Sequence, residues 1–257
     1  MKFEQLDRRM RVFETAHDHC VLPGIYMVAR IDGRSFSHLT RVAQRFDAPY
    51  DLRFRDCMVS TVQHLMQCGF GVRYGYTQSD EISLLFRRDE SLFGRKLRKY
   101  HSVLAGEASA AFSLALGALA AFDCRICQLP RREDVIDYFR WRNEDAHRNA
   151  LNAHCYWLYR GQGLSDHEAT ERLKGVSVPA RNELLFQHGI NFNEIAAWEK
   201  RGIGFYWVNT ESTGQDPRTG AAVRVTRRSL KTDFELPMKE AYEDFLRAMM
   251  AEASPQE

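Results

Sequence analysis

The sequence predicts an α+β fold built around an antiparallel sheet. In the first half of the 257-residue chain, short apolar runs and segments of helical period alternate in the order β-α-β-β-α-β, and the second half is mostly helical with one β-hairpin. The composition, 44% hydrophobic and 27% charged, is that of a globular protein and excludes disorder, collagen and coiled coil. This element order is that of a ferredoxin-like sheet, which predicts helices on one face and a second face free for a ligand.

The elements of the first half follow from local signals. A helix is predicted at 3–16, and a strand at 25–31 ends at the turn signal Asp32-Gly33. The apolar residues of the first helix fall on one stripe: Phe3, Leu6, Met10 and Phe13. The remaining elements are a helix at 51–68 that begins at the cap Asp51, strands at 70–76 and 82–86 around a turn at 77–81, a helix at about 96–120 and a strand at 122–129.

The second half changes character after Pro130. Three helices are predicted there: one at 131–159, one that begins at the capping box of Ser165 and stops at Gly175, and one at 182–189. Strands at 203–208 and 222–226 follow. We expect residues 1–130 to form the sheet domain. Residues 131–257 would be a helical and hairpin part that packs with it as one globular unit.

Charge is unevenly distributed although the net charge is only +2. Residues 87–101 contain six bases against two acids, and residues 218–231 contain five bases and no acid. Residues 233–257 carry seven acids against two bases. Two separate basic segments favour a polyanionic partner such as a nucleic acid more than the total suggests.

Nothing in the sequence directs the chain to a membrane or out of the cytoplasm. The N-terminal residues mix acids and bases and lack the apolar core of a signal peptide. The longest uncharged stretch, 108–122, is shorter than the roughly 20 apolar residues that a membrane helix needs. Six scattered cysteines fit a reducing compartment, so we expect a cytoplasmic protein without membrane contact.

Three carboxylates fall at the ends of strands that this topology makes neighbours. Asp32 follows the first strand, and Asp80 and Glu81 lie in the hairpin turn. Converging carboxylates repel one another unless a cation lies between them, and hard oxygen ligands suit Mg2+. The polymerase palm uses this geometry, with two metal ions, for phosphoryl transfer. Arg30 and Arg34 flank Asp32 and could grip phosphate oxygens, and Gly33 would let the main chain approach them.

Two motifs identify a family. RIDGRSF at 30–36 and YGYTQSDEISLLF at 74–86 resemble the tRNA-histidine guanylyltransferase family and its Thg1-like relatives, and the similarity continues through 93–102, 141–157 and 173–193. The resemblance implies a palm-type domain that adds nucleotides in the 3′-to-5′ direction to the 5′ end of tRNA. In that family the RNA end is activated by ATP or carries a triphosphate, and the 3′-hydroxyl of the incoming nucleotide attacks it.

The resemblance also implies roles for single residues. Asp32 and Asp80 would hold two Mg2+ together with the carbonyl of Gly33, and Glu81 would support this catalytic site. GTP and ATP would be the nucleotide substrates, and Lys96 and Lys99 would bind a second triphosphate. The expected nucleotide-binding residues are Arg30, Asp32, Gly33, Arg34, Ser35, Phe36, Ser37, Ser79, Asp80, Lys96 and Lys99.

RNA contacts are expected from two regions. The residues that match the family in the helical part are His147, Asn149, Arg181 and Asn182. Those of the second basic segment are Arg224, Arg227, Arg228 and Lys231. Family members assemble as tetramers, so a homotetramer is expected, in which one subunit could serve the site of another.

Departures from the family pattern leave the substrate open. Ala48 stands where eukaryotic members carry a lysine, which puts the ATP-dependent activation in question unless Arg41 or Arg45 substitutes. The changes resemble the Thg1-like branch, which is associated with templated repair of 5′-truncated tRNA. Guanylate addition to tRNA-histidine and general 5′-end repair therefore both remain open.

Other functions compete with this one. A nucleotide cyclase or a 5′-to-3′ polymerase would use the same palm and carboxylates. A non-catalytic RNA-binding module would use the same sheet, with Phe70, Tyr74 and Tyr76 stacking on bases. The acidic turn argues against the last, because without metal it would repel phosphate.

Overall fold

The sheet has six antiparallel strands, which confirms the α+β class. The computed structural model describes residues 1–215, 218 and 222–251, and the side chains of 212–215 and 222–225 lie outside this description. In space the strands follow the order β4-β1-β3-β2-β5-β6. The strands are β1 Tyr26–Gly33, β2 Val72–Gln78, β3 Glu81–Phe86, β4 Phe122–Leu129, β5 Ile203–Gln215 and β6 Ala222–Asp233.

Two helices of the described chain begin at the side-chain caps that were predicted for them. Asp51 accepts hydrogen bonds from the N–H groups of Arg53 and Phe54, and Ser165 forms a capping box with Glu168. The helices are α1 Phe3–Thr15, α2 Phe36–His38, α3 Leu52–Leu65, α4 Leu97–Leu116, α5 Arg132–Gly161, α6 Asp166–Leu173, α7 Val178–Gln187, α8 Ala197–Arg201 and α9 Lys239–Ala251. No described helix is both long and apolar enough to cross a bilayer.

Helices cover both faces of the sheet, so the expectation of one free face is wrong. On one face, Ile31 and Leu84 belong to a core cluster with residues of α3 and α4. On the other face, Val28, Tyr74 and Leu85 pack against residues of α5 and α9. The physical reason is that the central strands are apolar at successive positions, which is the pattern of strands buried on both sides.

The second hairpin extends the same sheet. β5 pairs with β2 from Ile203 opposite Thr77 to Tyr206 opposite Tyr74. Beyond Tyr206, β5 pairs with β6 alone and the two strands form a ribbon. Both strands are longer than predicted, because the turn-rich sequence between them had suggested an earlier end of β5.

Candidate active site

Three carboxylates meet at one edge of the sheet. Asp32, near the end of β1, lies directly opposite Glu81 at the start of β3, so both side chains point to the face covered by α5. Asp80 occupies the turn before Glu81, and the N–H of Gly33 donates to its carbonyl oxygen at 3.1 Å. This main-chain hydrogen bond sets the separation of the residues that carry the two aspartates.

The turn is tighter than the five residues predicted for it. Gln78 already pairs with Glu81, so only Ser79 and Asp80 connect the strands. Ser79 takes the left-handed conformation, with φ of 53°, and the hydroxyl of Thr77 donates to the carbonyl of Glu81 at 2.8 Å. Glu81 is therefore held as a strand residue, and its side-chain direction is fixed by the sheet.

The Asp80 carboxyl is poorly compensated. Burial raises its pKa, hydrogen bonds from its own N–H and from the Ser79 hydroxyl lower it, and the charges of Asp32 and Glu81 raise it again. Among the described residues no basic side chain forms an ion pair with Asp80. The raised pKa means that the folded chain gains from a cation next to this carboxylate.

Glu81 differs from both aspartates because arginines hold each of its oxygens. Its Oε1 accepts a hydrogen bond from Arg30, and its Oε2 accepts one from Arg142 of α5. The ion pair of Asp32 is longer, with Arg125 Nη2 at 3.8 Å, and the charge of Asp32 also helps to raise the pKa of Arg30. Arg142 could not be predicted as a partner of Glu81, because no local signal links it to a carboxylate 61 residues earlier in the chain.

Gly33 is needed for packing beside the carboxylates. A Cβ atom there would lie 2.5 Å from the ring of Phe36, closer than real Cβ atoms approach. Phe36 is buried, and its ring packs against those of Phe54, Phe112 and Phe122. The backbone of β1 thus packs directly on an aromatic cluster on the face of the sheet that α3 and α4 cover.

A cavity of about 510 Å³ opens beside the turn. Its volume is within the range of about 300–1,000 Å³ that is typical of small-molecule sites. Ser79, Asp80 and Glu81 form one wall, and α5 supplies another. Residues from the other elements complete the lining, among them Phe36, Ser37, Arg41, Ala48, Tyr50 and Trp198.

Other predicted nucleotide-binding residues differ in their distance from this edge. Arg34 and Ser35 are exposed in the turn after β1, where the N–H of Arg34 donates to Ala121. Lys96 and Lys99 lie at the start of α4, where Lys96 pairs with Asp18 at 2.8 Å.

The two lysines are not brought to the carboxylates of the same chain. The second half of α4 adjoins the carboxylate edge. The Ser109 hydroxyl accepts a hydrogen bond from the N–H of Phe122, and Phe122 pairs with Gly33 in the sheet. At 1.5 Å per residue, the 10 residues from Lys99 to Ser109 and the 13 from Lys96 to Ser109 span about 15–20 Å of the helix. Lys96 and Lys99 therefore lie toward the other end of the sheet.

The predicted RNA-binding residues of the helical part have different environments. Asn149 is exposed and lines the cavity. His147 is half-buried, with its ring 5.3 Å from that of Phe192, and burial lowers its pKa, as do the charges of Lys200 and other nearby bases. The side chains of Arg181 and Asn182 donate to main-chain carbonyls of Leu173 and Val178, as expected of residues that brace helix ends.

The predicted basic strand lies away from the cavity. Arg227 and Arg228 are exposed on the ribbon, and the Arg228 guanidinium lies 4.5 Å from the centre of the Trp207 ring. Lys231 pairs with Asp233 at 3.2 Å. The side chain of Arg224 lies outside the described residues.

The aromatic residues required by the RNA-binding-module alternative are buried. Phe70, Tyr74 and Tyr76 are 5%, 0% and 2% exposed. The hydroxyl of Tyr74 lies 2.8 Å from that of Tyr242 in α9, within the core. Tyr74 and Tyr76 are covered by α5 and α9, and Phe70 is enclosed in the core cluster on the other face. These rings cannot stack on bases, and this alternative loses its structural basis.

The oxygen atoms at this edge fit a magnesium ion that is bound partly by the protein and partly by the substrate. Among the side chains that the structure describes, no three from His, Cys, Asp and Glu are grouped closely enough to bind a metal. Mg2+ is commonly held by one or two carboxylates, with water and substrate phosphates completing its shell. Asp32, Asp80 and the nearby carbonyl of Gly33 are ligands of this kind.

Comparisons with known proteins identify the family. The model described as "Thg1: tRNAHis guanylyltransferase" matches residues 7–130, and the model of the Thg1 C-terminal domain matches residues 133–245. The chain is 32% identical over 198 residues to the tRNA(His) guanylyltransferase of Debaryomyces hansenii, covering 72% of this chain and 74% of the relative. It is 30% identical over 202 residues to that of Schizosaccharomyces pombe, covering 75% and 72%.

Solved structures agree with these matches. A bacterial Thg1-like protein in complex with ATP has a TM-score of 0.73 at 25% identity, covering 96% of this chain and 99% of the other. A structure of a bacterial Thg1-like protein in complex with GTP has a TM-score of 0.70 at 24% identity, with the same coverage, and shows the likeness of fold. These findings confirm the resemblance drawn from the sequence motifs.

Proposed function

The chain belongs to the tRNAHis guanylyltransferase family, and from this premise we propose that it is a 3′-to-5′ nucleotidyltransferase that adds nucleotides to the 5′ end of tRNA. The observation that carries the proposal is the carboxylate edge beside a nucleotide-sized cavity. The poorly compensated Asp80 lines the cavity, and the loosely paired Asp32 lies opposite Glu81 of the cavity wall.

The proposed ligands of two Mg2+ ions are Asp32, Asp80 and the carbonyl of Gly33. When bound, Mg2+ neutralises the charge of the attacking and leaving oxygens in phosphoryl transfer. The residues of this chain orient the groups around it. Asp32 and Asp80 are held by the strand ends and the tight turn, while Glu81 is engaged by arginines and is not a proposed ligand.

The proposed nucleotide position places the triphosphate at residues 32–37 and 79–80 and the rest of GTP or ATP in the cavity. Ser37 and Ser79 line the cavity, and the Ser37 hydroxyl can donate to a phosphate oxygen. Arg41 also lines it, whereas Ala48 brings no charge to the place of the family lysine. Arg41 is therefore the proposed substitute for that lysine in the activation step.

The proposed assembly is a homotetramer, and cytoplasmic location stays a prediction. The apolar stripe of α1 supports assembly, because Phe3 and Phe13 are 79% and 71% exposed. Lys96, Lys99 and the basic ribbon lie away from the cavity of their own chain. In an assembly they could bind RNA or a second triphosphate for another subunit. Pairing of β5 with β2 supports the proposal that residues 1–130 and 131–257 fold as one unit.

The experiment that tests the proposal offers the purified protein full-length and 5′-truncated tRNAs, each with a monophosphate or triphosphate end. ATP, GTP and Mg2+ are supplied, and the nucleotides gained by each RNA are recorded. Asp32→Asn and Asp80→Asn should each abolish addition. Asp123→Asn is the matched control, because Asp123 lies opposite Asp32 on β4, is 65% exposed and is not a proposed ligand.

Two outcomes would contradict the proposal. Unchanged addition by the Asp80→Asn variant would remove the proposed metal site. Cyclic nucleotide formed from ATP and GTP without RNA, together with no addition to any tRNA, would favour the cyclase alternative. The pattern of gained nucleotides also distinguishes guanylate addition to tRNA-histidine from templated repair.

A further inference from the structure

We propose that Arg142 of α5 is a positioning residue that aligns the carboxylate edge through Glu81. The inference rests on the proposed function and assigns a role to a residue outside the sheet. Arg142 is not among the residues that line the cavity, and it forms no ion pair with Asp32 or Asp80. Its contact with the edge is the hydrogen bond from its Nη2 to Oε2 of Glu81.

The two-sided engagement of Glu81 fixes the residues around it. Arg30 binds one carboxylate oxygen and Arg142 the other. A carboxylate held in this way cannot turn toward a metal ion without breaking an ion pair. Because Glu81 follows Asp80 in the chain and lies opposite Asp32 in the sheet, its position constrains both proposed ligands.

Arg142 is itself held firmly. Its side chain is 6% exposed, and its Nη2 also lies 3.3 Å from Oδ2 of Asp145. The guanidinium lies 4.7 Å from the centre of the Trp141 ring. Its carbonyl accepts a hydrogen bond of 3.4 Å from the hydroxyl of Tyr76 in β2. A guanidinium confined by an aromatic ring and by Asp145 is suited to hold the Glu81 carboxylate in one position.

The same helix carries a wall of the cavity. Asn149, Ala153 and Trp157 line the cavity at intervals of four residues, and Arg142 lies seven residues before Asn149. Residues at these spacings lie along one side of a helix. The Arg142–Glu81 contact therefore sets the position of the cavity wall relative to the carboxylates.

Charge around Glu81 predicts what the loss of Arg142 would do. Arg30 and Arg142 balance Glu81 and Asp145, so removing Arg142 leaves one uncompensated negative charge and frees one oxygen of Glu81. A cation at the edge would then bind more tightly, while the reacting groups would be less well aligned. Small misplacements cost rate even where binding persists.

The test is a double-mutant cycle of Arg142→Met and Glu81→Gln in the full-length protein, with Arg142→Lys as the variant that keeps the charge. Turnover and KM for nucleotide addition to tRNA, Mn2+ binding by calorimetry without nucleotide or RNA, and the urea midpoint are measured for each. Each single substitution should lower turnover by at least about tenfold, and the double variant should lose no more than about threefold beyond the worse single.

Binding separates positioning from general damage. Arg142→Met should bind Mn2+ about threefold or more tightly than wild type, because a neighbouring positive charge is gone, while KM for nucleotide changes less than turnover. Arg142→Lys should restore the wild-type Mn2+ affinity and recover only part of the turnover. Arg140→Gln is the matched control on the same helix, since Arg140 pairs with Glu144 and with Glu243 of α9, and it should retain wild-type turnover and Mn2+ affinity.

Specific results would overturn the inference. These are wild-type turnover in Arg142→Met, additive losses in the double variant, or Mn2+ affinity that is unchanged or lost together with the urea midpoint. A wild-type protein that adds no nucleotide would instead refute the proposed function. The Mn2+ titration still decides the role of Arg142 in that case.

Discussion

Replacing Gly33 by alanine should separate the two proposed metal ligands, because the backbone there has no room for a side chain. An added Cβ would lie 2.5, 2.6 and 2.9 Å from three atoms of the Phe36 ring. Phe36 is 2% exposed, and ring centres of Phe112 and Phe122 lie 5.1 and 4.9 Å from its own. The ring cannot move away, so the backbone of β1 must shift.

The magnitude follows from what that shift would disturb. Overpacking of a dense core costs about 1–3 kcal/mol, so the free energy of unfolding should fall by this amount. The shift also strains the 3.1 Å hydrogen bond from Gly33 to Asp80, which joins the residues of the two ligands. A displacement of about 1 Å at a reacting centre can cost about a hundredfold in rate, and we expect a loss of tenfold or more.

Urea unfolding and single-turnover nucleotide addition measure the two effects. Gly106→Ala is the control, because Gly106 lies within α4 with nothing within 4 Å of an added Cβ, and alanine should stabilise the helix by up to about 1 kcal/mol. Gly33→Ala combined with Phe36→Leu should recover part of both losses. Wild-type stability and rate in Gly33→Ala alone would refute the reasoning.

Three further predictions concern charge and assembly. Burial raises the pKa of Asp80, so the folded state favours the protonated carboxyl and is destabilised as the pH rises through the folded pKa. Without Mg2+, the free energy of unfolding of Asp80→Asn should therefore exceed that of wild type by about 0.5–1 kcal/mol at pH 7 and should not exceed it at pH 3. Equal urea midpoints at pH 7 would contradict this. Neutralising Arg227 and Arg228 together should weaken tRNA binding, with a log–log salt slope smaller by about 0.9 per phosphate contact, and should leave KM for nucleotide unchanged; an unchanged slope would show that they make no phosphate contacts. Serine at both Phe3 and Phe13 should reduce the oligomer size seen by sedimentation velocity, whereas an unchanged size would exclude the α1 stripe as an interface.

The carboxylate edge could be predicted from the sequence because its signals are local. Asp32-Gly33 ends an apolar strand, and Asp80 lies in a short turn between two others. The β-α-β-β order then makes these strands neighbours, as the pairing of Asp32 with Glu81 confirms. The turn was predicted too long, because residues such as Gln78 and Glu81 are compatible with both a loop and the end of a strand.

The covering of the second sheet face could not be predicted in the same way. Helix α9 was not predicted, because its segment was read only as an acidic one. Its apolar residues nevertheless have helical spacing, and Tyr242 and Leu246 are buried four residues apart. Its partner Tyr74 lies 168 residues away in the chain. Such a pairing depends on tertiary packing and leaves no local pattern.

Long-range charge pairing limited the site prediction. Glu81 was assigned to the acidic site by its neighbours in sequence, but Arg142 reaches it from another element. Lys96 and Lys99 were grouped with the nucleotide site through the family, yet they lie at the start of α4, and 10 or more residues of that helix separate them from Ser109, which adjoins the carboxylate edge.

The most direct test of the central claim locates the nucleotide that is added. The protein is incubated with a 5′-truncated tRNA, Mg2+, ATP and radiolabelled GTP, and the labelled RNA is digested to identify its modified end. The proposed function predicts label at the 5′ end, lost in both Asp32→Asn and Asp80→Asn and retained in Asp123→Asn. Label at the 3′ end, or label at the 5′ end that persists in both aspartate variants, would contradict it.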